Sequence, residues 1–61
     1  MTDKERLTRA IADHVLDIQR MCQCLIDSDG TGAVTASVRS GQSSIRLMSL
    51  IDELFPEESN D

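Results

Sequence analysis

Apolar residues recur at Leu7, Ile11, Val15, Ile18, Cys22 and Leu25, in steps of four and three. That spacing traces one stripe along an α-helix. No Gly or Pro interrupts it, so the pattern predicts a helix over about 3–26. Thr2-Asp3-Lys4-Glu5 opens it with a capping box, Thr2 as N-cap and Glu5 at the third helical position. Asp27-Ser28-Asp29-Gly30-Thr31-Gly32 then breaks the stripe as a turn over 27–32. Gly30 or Gly32 is suited to the left-handed position that ends a helix. A second series, Val34, Val38, Ile45 and Asp52 on one line flanked by Met48 and Phe55, predicts a helix over about 33–55, stopped by Pro56. A later start, near Ser40, is the alternative, because Gly41 inside the helix costs about 1 kcal/mol relative to Ala. The cost makes sense where Ser37, Gly41 and Ser44 let a neighbouring helix approach closely.

Two helices joined by a short turn imply an all-α, antiparallel hairpin. In that arrangement Lys4, Arg6 and Arg9 at the start lie beside Asp52, Glu53, Glu57 and Glu58 at the end. The chain reads as a single domain, 1–61, with 56–61 as an acidic tail.

The second helix carries more apolar residues than one contact face holds. With Ile45 set at zero on a helical wheel, Met48, Phe55 and Ile51 fall at roughly −60° to −120°. Leu47, Leu54 and Leu50 fall at roughly 140° to 200°, so the apolar arc exceeds half the circumference. Leu16 is a smaller version of the same excess, almost opposite the main stripe of the first helix. A lone hairpin is expected to leave Leu47, Leu50, Leu54 and Leu16 in water, and such clusters mark interfaces. The expectation is a homodimer closing into a four-helix bundle, with Leu47, Leu50, Ile51 and Leu54 as the self-association residues.

Size sharpens this. At 61 residues the chain buries only roughly 60% of its unfolded surface, and domains this small commonly rely on staples, metals or partners. Phe55 is its one aromatic residue, which argues against an aromatic-lined ligand cleft and an enclosed active site. The chain is therefore expected not to be an enzyme and to need no cofactor. Six basic against eleven acidic residues give −5, which disfavours nucleic acid and anionic membrane surfaces as partners. No apolar run approaches the ~20 residues of a membrane span, and the charged start lacks a signal peptide's apolar region. A cytoplasmic protein is the expectation. Cys22 and Cys24 point roughly 160° apart on a helix and read as reduced thiols, Cys22 in the core and Cys24 nearer the flank.

Three places invite chemistry. Asp27 to Thr35 resembles the first nine positions of an EF-hand calcium loop, with Asp27, Asp29 and Thr31 as candidate ligands. The twelfth position is Val38 where that loop needs a bidentate Glu, so any such site is weak. His14 lies beside the main stripe with Asp17 one turn away, a core-edge histidine with no nucleophile at helical spacing. Arg39 and Arg46 share a polar face, and a dimer would bring four arginines to a small anion or nucleotide.

The function these features predict is regulatory: an adaptor, antagonist or inhibitor that acts by protein–protein interaction as a homodimer. Leu16, Asp13 and Asp17 are the candidate partner contacts. The alternative is a ligand-binding module, using the Asp27–Thr35 turn or the Arg39/Arg46 pair. Small charged helical chains of this size are common among phage and mobile-element regulators, an expectation from size alone.

Overall fold

The computed structural model describes residues 1–56, so all but Pro56 of the tail expected over 56–61 lies outside the described residues. Two helices make the fold: α1, Asp3–Ile26, and α2, Gly30–Leu54. They pack antiparallel as a hairpin. The molecule is 12 Å thick along its shortest axis, a single layer of helices.

Each end of α1 is closed by its own residues. Thr2 Oγ1 accepts from the Glu5 amide at 3.1 Å, and Glu5 Oε1 accepts from the Thr2 amide at 3.2 Å. Those two bonds form the capping box. The Thr2 backbone and side-chain hydrogen bonds hold the Glu5 carboxyl below its usual range.

At the other end the left-handed residue is Ser28, with φ 58°, and no glycine has a positive φ. Ser28 N donates to Leu25 O at 3.2 Å and Asp29 N to Cys24 O at 2.8 Å, the paired bonds of a Schellman turn. This corrects the assignment of that role to Gly30 or Gly32. The turn closes earlier because Asp29 starts α2 at once: its Oδ1 accepts from the Gly32 amide at 2.9 Å. Both glycines are thereby drawn into the first turn of α2, which begins at Gly30 instead of near residue 33. A serine with φ near 58° carries strain that glycine lacks, so Ser28→Gly is expected to raise stability by about 1 kcal/mol. Chemical denaturation with an unchanged m-value is the measurement.

Gly32 has a different reason to be glycine. A Cβ there would strike the Asp29 carboxylate and come within 2.9 Å of Cys24 Sγ. The missing side chain lets α1 and α2 meet directly after the turn.

The contact between the helices follows a 3-4 spacing that hydrophobicity alone obscures. On α1 it runs through Leu7, Ala10, His14, Asp17, Met21 and Cys24, all half-buried. On α2 it runs through Ala33, Ala36, Ser40, Ser43, Leu47, Leu50 and Leu54. Alternating steps of three and four are the seam of antiparallel helices packed at a shallow angle. The seam is narrow and small-sided at the turn and leucine-filled at the open end.

This register corrects one expectation. Leu47, Leu50 and Leu54 are half-buried against α1 within a single hairpin, not left in water. The small residues Ala33, Ala36, Ser40 and Ser43 extend the leucine line toward the turn, and together they outcompete the more apolar Val34–Val38–Ile45 line for α1. Leu16 does stand exposed.

Candidate functional site

The hairpin has two unlike sides. Around α1, Ile11, Val15, Ile18, Cys22 and Leu25 follow the seam by about a quarter turn in one direction. Around α2, Ser37, Ser44, Met48, Ile51 and Phe55 do the same, and antiparallel packing brings the two flanks to one side of the layer. Val34, Val38 and Ile45 lie on the outer edge of α2, away from α1, and Ile45 also borders a groove on the opposite side. Ile11 and Val15 are each 45% exposed, Ile45 64% and Met48 61%. Buried apolar residues are limited to Ala33 and Ala36 among the described residues.

Gly41 lies within this apolar side, between Ser37 and Ser44, and nothing stands within 4 Å of where its Cβ would be. Ser37, Gly41 and Ser44 thus make a shallow valley on α2 beside the branched ridge Ile11–Val15–Ile18 of α1. The close approach that Gly41 permits is not made by α1.

The opposite side carries most of the charged residues and holds two grooves, end to end along the seam, with charged rims and mainly apolar walls. The first, about 470 Å³, is lined among others by Arg6, Arg9, Asp13, Arg46, Ser49 and Glu53. The second, about 410 Å³, is lined by Asp17, Arg20, Gln23, Cys24, Thr35 and Arg39, with Gly32 and Ala36 at its floor. Arg6 bridges the helices at 2.9 Å from Glu53 Oε2 and also reaches Asp3 at 3.5 Å. The Glu53 hydrogen bond and charge push the Arg6 guanidinium further up in pKa. Among the described residues these are the only ion pairs, and Lys4, Arg9, Arg20, Arg39 and Arg46 have no described carboxylate within 4 Å. Among the described residues the expected sign match of the hairpin's open end is realised in one pair, Arg6 with Glu53, while Glu57 and Glu58 lie outside them.

Between the two sides, the seam has a polar centre. Ser43 is 2% exposed, the most buried polar residue described. Its Oγ donates to the Ser40 carbonyl at 3.1 Å, and His14 Nδ1 stands 2.8 Å from the same oxygen. With the hydroxyl proton given to Ser40, Nδ1 carries the proton and donates to Ser43. No buried side-chain polar atom lacks a partner among the described residues. His14 is therefore a register pin between the helices, and the Ser43 hydroxyl it meets is closed off from solvent. Sequence reasoning missed Ser43; its only signal was the 3-4 spacing with Ala36, Ser40 and Leu47.

The remaining candidates fall as follows. Asp27 caps α1 and accepts from Gln23 Nε2 at 3.1 Å, while Asp29 caps α2. Thr31 lies in the first turn of α2, with its carbonyl accepting from Thr35 Oγ1 at 3.2 Å. A calcium loop wraps its ligands at positions one, three, five and seven around the ion through a sharp turn at the sixth, and here helix already begins at the fourth. The EF-hand geometry is not formed, and no cluster of three metal-binding side chains exists among the described residues. The cysteines exchange their expected places: Cys24 is half-buried in the seam and Cys22 exposed, because the seam runs through Met21 and Cys24. Of the self-association candidates, Leu47, Leu50 and Leu54 line the seam and Ile51 lies on the apolar side, 41% exposed. Of the partner candidates, Asp13 and Asp17 line the grooves, one in each, while Leu16 lines neither. No helix among the described residues is long and apolar enough to cross a membrane.

No family model, curated protein or solved structure matches the chain.

Proposed function

We propose that the chain acts as a homodimer, a four-helix bundle closed through the apolar side of each hairpin, and that this dimer is a small non-catalytic regulator working by protein–protein interaction. One observation carries the reading. Among the described residues of the hairpin no apolar side chain larger than alanine is fully buried, while Ile11, Val15, Ile18, Met48 and Ile51 stand exposed on the flank that follows the seam. A single layer cannot bury both flanks of its helices, and stable domains stack a second layer. A second copy supplies that layer with a surface that complements itself. Two-fold symmetry sets the Ile11–Val15–Ile18 ridge of one copy against the Ser37–Gly41–Ser44 valley of the other, twice over. Of the four residues first assigned to self-association, Ile51 belongs to this surface, and Leu47, Leu50 and Leu54 support it from beneath.

Regulation by contact fits what is left outside. A dimer closed through the apolar side leaves the two charge-rimmed grooves outward, where another protein can reach them. Sedimentation equilibrium at micromolar concentration is expected to give twice the 6.7 kDa chain mass. Melting temperature is expected to rise with protein concentration, as mass action demands of a fold shared between chains. A stable monomer with a concentration-independent melt would reject the proposal.

A further inference from the structure

The grooved side of the hairpin has a charge order that its overall −5 conceals. Five of the chain's six basic residues, all but Lys4, line the two grooves. Arg6 is engaged by Glu53 and Asp3, which leaves Arg9 and Arg46 at one end and Arg20 and Arg39 at the other. Asp13 and Asp17 lie between these two pairs along α1, and neither is in an ion pair among the described residues. Arg39 and Arg46 are seven residues apart and Arg9 and Arg20 eleven, so the pairs are separated by about 10 to 16 Å.

We infer that this side is the target-docking surface, and that the docked element is a protein helix whose side chains run acidic, basic, acidic over seven to eleven residues. The inference rests on the dimer reading, because that reading uses the apolar side and leaves this one outward. Arginine, here in place of lysine at all five positions, offers a planar fork that grips a carboxylate with two bonds. The central aspartates decide the class of partner. A phosphate backbone carries one sign throughout and would meet repulsion at Asp13 and Asp17, on top of the chain's net negative charge. A polypeptide can place a lysine or arginine there.

Fluorescence anisotropy on the intact chain tests this with three probes. One is a helical peptide with glutamate pairs nine residues apart and lysines between them. The second has the same composition in the order basic, acidic, basic, and the third is a twelve-nucleotide single strand. The first peptide is expected to bind at least tenfold more tightly than the second and than the oligonucleotide, and to weaken as salt rises. Asp13→Lys with Asp17→Lys is expected to abolish that preference. Arg39→Glu with Arg46→Glu is expected to remove binding of the first peptide while the dimer mass is retained. Equal affinity for both peptide orders, tighter binding of the oligonucleotide, or binding of none of the three overturns the inference. Sedimentation on the same samples separates the two readings: a monomer sinks the dimer, whereas a dimer indifferent to charge order sinks only the docking surface.

Discussion

Ile11→Glu is expected to abolish self-association and most of the helical signal, while Leu16→Glu leaves both almost unchanged. The two side chains are equally exposed in the hairpin, 45% each, so a hairpin standing alone should tolerate both substitutions alike. They differ in direction. Ile11 stands on the apolar side, where a second copy would exclude water from it, and Leu16 lies far round α1 from that surface. A carboxylate forced into a closed apolar contact without a partner costs several kcal/mol, comparable to the whole stability of a small domain. Circular dichroism and sedimentation at matched concentrations check the pair. Gly41→Ala adds a readout of sign. In an isolated hairpin it should stabilise by about 1 kcal/mol, since nothing within 4 Å opposes the new Cβ. With the ridge of a second copy seated on Gly41, the same substitution weakens the dimer instead.

Much of this fold is legible in the residues. The capping box at Thr2–Glu5, the absence of breakers through Ile26 and the stop at Pro56 are local signals, and local signals set helix existence. Which face of each helix meets the other was not legible by hydrophobicity. The seam includes Ala33, Ala36, Ser40 and Ser43 on α2 and His14 and Asp17 on α1, residues whose small size or polarity hides them from an apolar count. Their contribution is close approach and one hydrogen-bonded centre, His14 to Ser43, neither of which a hydropathy pattern records. The turn misled for a related reason. Gly30 and Gly32 invited a left-handed reading, yet the Asp29 cap pulls both into helix and passes the left-handed role to Ser28. Gly32 is needed for space and not for its dihedral freedom. The arginine-lined grooves were half visible, as Arg39 and Arg46 on one polar face. That Arg9 and Arg20 join them depends on the register of α1 against α2.

Leu50→Ala is expected to lower the melting temperature at every protein concentration while leaving the dimer mass intact. Leu50 sits half-buried on the α2 seam, level with Leu7 at the leucine-filled end. Truncating it removes contacts to α1 and opens space that the neighbouring Leu47 and Leu54 only partly fill. For a half-buried leucine the loss should be about 2 kcal/mol, the low end of the range for core truncations. The damage is within one chain, so the shift should be the same in dilute and concentrated samples, and sedimentation should still give the dimer. Ile11→Glu is the opposite case, in which the mass changes first. If Leu50→Ala instead yielded a monomer with an unchanged melt, Leu50 would be a self-association residue and the seam drawn here would be wrong. A melt lowered alike at all concentrations, with the dimer kept, separates the seam from the apolar side. It would also account for the apolar arc of α2 being wider than half its circumference: Leu47, Leu50 and Leu54 close the hairpin, and Met48, Ile51 and Phe55 are left for the proposed second copy.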